Sequence, residues 1–192
     1  MMRMNIAILG WGSLLWEGRP DFDEWHEPWQ NDGPLLKLEF SRVSETRLGA
    51  LTLVIDSANG SPTTVAYCLS KRTDPEDAIC DLRCREGTAR KNIGYVFLAD
   101  GRSQSRDKES CDAIVDWAKG KDIDVVVWTD LPSNFCDKVK KSFSVKNAIS
   151  YLKTLDDAGR AKAAEYVRRA PDFVQTPLRE ALLREPWFTP SS

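Results

Sequence analysis

The segment DPEDAICDLRCREG, residues 74–87, constrains the fold more than any other, because both ends of a helix are written into it. Asp74 stands as N-cap, Pro75 at the first helical position, and Glu76 and Asp77 in a first turn that favours negative charge. Ala78, Ile79 and Leu82 supply an inward face, and Gly87 supplies the terminal glycine. On either side lie short apolar runs of strand type. Residues 5–10, 35–43, 50–56 and 63–69 precede the helix, and residues 93–99 and 124–129 follow it. The SANGSP turn between the third and fourth runs makes that part read as an antiparallel meander. Strands that surround a helix in this way predict an α+β fold.

Further along, the spacing predicts helices over 108–119, 145–155, 158–169 and 177–184, the last opened by Thr176 and Pro177. The stretch WEGRPDFDEWHEPW, residues 16–29, carries prolines and acids without a period and reads as a loop packed by aromatic rings. LPSNF reads as a second loop. The β-rich part, residues 1–130, and the helical part, residues 131–192, differ in period, but no Gly/Ser-rich linker separates them. The economical reading is one domain with a helical C-terminal extension packed on it.

Charge and cysteine usage bound the chemistry. A formal net charge of −2, with both signs interspersed, provides no global field for nucleic acid or an anionic membrane. A small neutral or zwitterionic partner is therefore as fitting as a polymer. The apolar run in MMRMNIAILG is too short for a signal peptide core or a membrane span. Five cysteines without a CxxC, and His26 as the single histidine, provide neither a disulfide framework nor a zinc site. A reducing cytoplasm is the expected setting, with no metal and no cofactor.

Two short stretches could carry chemistry. In GWGSLL, residues 10–15, the glycines allow positive φ and close approach, and exposed N–H groups there could hold a carboxylate or an oxyanion. The same letters also fit a strand with a bulge at Gly12. Neither phosphate-loop spacing is present. The other stretch is RCREG, where Glu86 meets Gly87 at the negative end of the helix dipole. That position and burial would raise its pKa, whereas Arg83, Arg85 or Arg90 would lower it if they faced it. A solvated glutamate in a charge cluster is the plain alternative.

Taken in order, GWGSLLW, FSRVSETRLGALTLV (residues 40–54), VAYCL (65–69) and LRCREG (82–87) resemble the γ-glutamyl cyclotransferase-like family, over roughly residues 5–99. The resemblance implies a small, mostly antiparallel β-barrel with flanking helices. It also implies a cofactor-independent reaction in which the α-amine of a γ-glutamyl substrate attacks its own side-chain carbonyl. A 5-oxoproline ring closes and an amine or amino acid leaves. Carried over, Trp11, Gly12, Ser13 and Leu14 would bind substrate through backbone N–H groups, and Glu86 would be the acid/base. Trp11 stands where the family pattern has tyrosine, so an indole replaces a phenol. A non-catalytic metabolite-binding or regulatory protein on the same fold is the alternative function.

Other residues have two readings each. Arg42 and Ser44 share a strand face that could either meet an anionic group of the substrate or be solvated. Trp16, Trp25 and Trp29 either pack their loop or line the mouth of the cavity. Cys80 and Cys84, at i and i+4, share one helix side, as small core residues or, for Cys84, as the nucleophile of a thiol hydrolase. Such a hydrolase could pair Cys84 or Ser13 with His26, although no spacing supports it.

Overall fold

The computed structural model describes residues 4–188. Its strands are β1 (Ile6–Gly10), β2 (Leu35–Ser44), β3 (Ala50–Ile55), β4 (Ser61–Thr64), β5 (Ala66–Leu69), β6 (Ile93–Phe97), β7 (Ser103–Gln104) and β8 (Val125–Thr129). Its helices are α1 (Pro20–Asp23), α2 (Pro75–Glu86), α3 (Lys108–Lys119), α4 (Phe135–Val139), α5 (Val145–Thr154), α6 (Asp157–Arg169) and α7 (Pro177–Leu182). The fold is α+β with two sheets, ordered β5-β1-β8-β6-β7 and β3-β2-β4, and neither closes into a barrel among the described residues. No helix among those residues is long and apolar enough to cross a membrane.

The chain divides into two compact units. One contains the described residues up to Leu36 together with Thr64–Leu131; the other joins Lys37–Thr63 to the described residues from Pro132 onward.

In the first unit β1 runs parallel to β8, pairing Ile6 with Val125 and Ile8 with Val127, and antiparallel to β5. Helix α2 forms where its punctuation placed it. The Asp74 carboxylate accepts from the Glu76 N–H at 2.9 Å, and Gly87 takes the left-handed φ of 59° at the C-cap. Its Ala78, Ile79 and Leu82 bury against Ile6, Ile8, Ile93, Val125 and Val127. Full burial of each aliphatic side chain there contributes about 1.5–3 kcal/mol.

Residues 16–29 are more than a loop, since Pro20 at N1 with Asp21 and Asp23 in the first turn starts the single turn α1. Trp25 is fixed by Arg72, whose guanidinium lies 3.4 Å from the indole centroid while it forks onto Asp81 at 2.8 and 3.0 Å.

In the second unit β2 is the central strand, with β3 on one side and β4 on the other. The segment is therefore not a meander in which each strand pairs with the next. The run 63–69 also divides at Val65, because β4 pairs in the second sheet and β5 in the first. A shift in register between Glu39 and Arg42 marks a bulge in β2.

Glu39, 1% exposed, accepts from the Phe40 N–H at 2.7 Å. Burial pushes its carboxyl up to about 7, opposed by the Phe40 N–H and by the nearby Thr176 hydroxyl and Leu178 N–H, and helped by the Asp56 charge. A raised folded pKa means stability that is fully present below the unfolded value and lost as pH rises through the folded one. Denaturation across pH 4 to 8 should therefore show stability falling between the unfolded value of 4.5 and the folded value of about 7, with a slope that approaches about 1.4 kcal/mol per pH unit inside that window and levels off above it. Glu39→Gln should flatten that slope, and an unchanged pH profile in this variant would refute the assignment.

Candidate functional site

Strand β1 ends at Gly10, where an added Cβ would lie 2.8 Å from the Trp29 ring and 2.9 Å from Leu15, so that only glycine fits. Gly12 lies beyond the strand and its ladder to β5, both of which end at Gly10, so it is not a bulge in that strand. Gly12 then enters a single 3-10 turn, Ser13–Leu15, with φ of −116°. The positive φ considered for this glycine does not occur. Its role is to cap the turn, whose Leu15 N–H donates to Gly12 O at 2.9 Å.

Early N–H groups of any helical turn lack a partner within it. Among the described residues no acceptor faces the N–H groups of Gly12, Ser13 and Leu14. Trp11 is buried at 5% exposure, and the Leu14 side chain joins the core beneath α2. The turn is thus anchored by the buried Trp11 and Leu14 side chains, with Ser13 half-buried between the buried Gly12 and Leu14.

The link from this turn to Glu86 is Arg85. Its Nη2 donates to Ser13 O at 3.1 Å and to Glu17 O at 2.8 Å, while Nη1 lies 3.9 Å from Glu86 Oε1. Burial holds the guanidinium below its usual pKa, with the Glu86 charge acting in the opposite direction. Its Nε–H has no acceptor among the described residues. The Glu86 side chain is 19% exposed, a shielded position compared with a solvated surface carboxylate. Of the three arginines considered, Arg85 is the one set against Glu86. Arg90 pairs with Glu76 at 3.1 Å, and Arg83 lies against two thiols.

A trans peptide holds its C=O and the next N–H antiparallel. By drawing Ser13 O toward itself, Arg85 therefore turns the Leu14 N–H the opposite way. Charge-assisted bonds of this kind contribute about 1.5–3 kcal/mol each. Arg85→Met should free the turn, which hydrogen exchange at the bonded amides of Leu15, Trp16 and Glu17 would register as lost protection. Unchanged exchange would show that the turn holds itself.

Sequence reading named Arg85 as one of three arginines that could face Glu86 and missed its link to the Ser13 turn, although a signal was present. It sits at i+3 from Leu82 and i+7 from Ala78, so the apolar stripe of α2 carries one arginine, and a cation on a buried face needs fixed acceptors.

Beyond α2 the same sheet end is braced by a chain of hydrogen bonds. Asn92 Nδ2 donates to Thr88 Oγ1 at 2.8 Å, and Arg106 Nη2 donates to Asn92 Oδ1 at 2.7 Å. The Arg106 N–H donates to Asp130 Oδ2 at 2.7 Å. Burial pushes the Asp130 carboxyl up, against the stabilising backbone bond from Arg106. Asp130 follows β8, and the turn follows β1, so both stand at the carboxyl ends of the parallel pair, where open sheets commonly hold ligands.

The remaining candidates lie elsewhere. Arg42 belongs to the second unit, where its Nη1 donates to Pro132 O at 2.8 Å. Ser44 Oγ meets Thr46 Oγ1 at 3.2 Å. Trp29 packs over Gly10 and against the core, and His26 donates from Nδ1 to Glu27 O at 2.7 Å, its ring 5.2 Å from that of Trp29. All five cysteines are free thiols, and Cys80 and Cys84 are exposed, which corrects the core reading of that pair. Among the described residues no cluster of three or more His, Cys, Asp or Glu side chains could hold a metal ion. Comparison with protein-family models, with curated proteins and with solved structures finds no match to this chain.

Proposed function

We propose that the chain is a γ-glutamyl cyclotransferase-like enzyme that releases 5-oxoproline from a γ-glutamyl amine or peptide, without a cofactor. The observation that carries this reading is Arg85, which sets the Ser13 turn and the Glu86 carboxylate against one guanidinium. The family's barrel and a cytoplasmic setting belong to the same proposal, the latter supported by five free thiols.

The chemistry needs three things. The substrate's α-ammonium must lose a proton to become a nucleophile, and Glu86 is the base for it. The carbonyl oxygen gains charge as the ring closes, and an N–H of the turn could stabilise it by roughly 2.7–4 kcal/mol. The leaving amine must gain a proton, which Glu86 returns. A positioned acid/base contributes about 10²- to 10⁴-fold, and holding amine against carbonyl supplies the orientational share. The amides of Gly12 to Leu14 have the capacity to hold either the substrate carboxylate or the oxyanion. Transferase or lyase describes the outcome equally well, since the acyl group is transferred within one molecule.

The test is a panel of γ-glutamyl amides and dipeptides, with α-glutamyl isomers as controls, assayed for 5-oxoproline. Release from a γ-linked compound alone is the expected result. Saturable binding of panel members without release would favour the metabolite-binding alternative.

A further inference from the structure

The outer side of α2 carries a group that the proposed reaction does not use. Cys80 and Cys84, both exposed free thiols, stand one helical turn apart, and Arg83 Nη2 lies 3.9 Å from the first sulfur and 3.8 Å from the second. We propose that these two thiols form a site for a single soft, monovalent d10 metal ion, copper(I) in oxidation state and softness, with Arg83 as the compensating charge.

Geometry separates this role from a disulfide. Residues at i and i+4 on a helix have Cβ atoms about 5–6 Å apart. A disulfide needs about 3.5–4.5 Å, so closing one would distort the helix. An ion bridging two thiolates at metal–sulfur distances of about 2.3 Å spans roughly 4.5 Å between sulfurs. Rotation about the cysteine side-chain torsions reaches that span with the backbone unmoved.

Ligand number selects the metal. Zinc closes a structural site with four ligands, and no third or fourth His, Cys, Asp or Glu joins this pair among the described residues. Thiolate pairs favour soft ions such as copper(I). On loading, the two thiol protons leave to solvent and two metal–sulfur bonds form, so the ion with its two thiolates carries one negative charge. The Arg83 guanidinium, already beside both sulfurs, neutralises it. No redox step is involved. The inference stands apart from the cyclotransferase proposal.

The test is an anaerobic titration of the reduced full chain with copper(I) held by a chromophoric competing chelator, with proton release followed by an indicator. The native protein should withdraw one ion per chain from the competitor and release two protons. Cys80→Ser and Cys84→Ser should each weaken withdrawal by about 10²-fold or more, because the second sulfur no longer acts at high effective concentration. Arg83→Met should weaken it by about tenfold. The double variant Cys111→Ser/Cys136→Ser should behave as the native chain. Withdrawal that survives in Cys80→Ser/Cys84→Ser, or that disappears in Cys111→Ser/Cys136→Ser, would overturn the proposal. Since Cys80 and Cys84 are exposed, serine at either position leaves the core of α2 intact.

Discussion

Alanine at position 94 should destabilise the protein by at least about 1–3 kcal/mol, the usual cost of forcing an added carbon into a packed core. Gly94 on β6 pairs across the sheet with Trp128 on β8, and the indole lies flat over the missing side chain. A Cβ there would sit 2.2 Å from Trp128 Cε2 and 2.3 Å from Nε1. Trp128 has no exposed surface into which to retreat. Either the ring leaves its rotamer or the two strands part, and each route weakens the centre of the five-stranded sheet. Chemical denaturation should show a lower midpoint with an unchanged slope. The pair Gly94→Ala/Trp128→Leu should recover part of the loss, because the second change makes room for the first. An unaltered midpoint in Gly94→Ala would contradict the packing described here.

Much of the fold was legible wherever the signal is local. Helix α2 has its cap, its proline and its glycine in fourteen consecutive letters, and α3 occupies the residues its period predicts. Strand allocation was not legible, because pairing partners lie far apart in the chain. Residues 63–69 look like one strand, yet Thr64 ends an edge of one sheet and Ala66 begins an edge of the other. The helical C-terminal residues share a unit with residues 37–63, an association made by contacts such as the Tyr166 hydroxyl against the Leu53 N–H. Helix α1 carries the same starting signature as α2, but four residues are too few to show a period.

The site divides in the same way. The glycines of GWGSLL and the position of Glu86 at a helix end were visible as letters. What the letters hid was the guanidinium between them, since two of the three nearby arginines turn to other partners. Arg42 looked equally suited to an anion, but its guanidinium is engaged by a backbone carbonyl of its own unit.

The most direct test of the proposed reaction is Glu86→Gln. Glutamine keeps the size of the side chain and loses the capacity to take up a proton at working pH. Because Arg85 lies 3.9 Å from Glu86 Oε1 and binds the turn through its other nitrogen, the turn should stay in place. With a γ-glutamyl compound that the native protein converts, kcat for 5-oxoproline release should fall by about 10²- to 10⁴-fold, the share a positioned acid/base supplies. KM and the denaturation midpoint should change little. The product to follow is 5-oxoproline together with an equal amount of freed amine, which separates ring closure from ordinary hydrolysis to glutamate. A large loss of kcat at native stability is the result the account predicts. Native turnover in Glu86→Gln would contradict it.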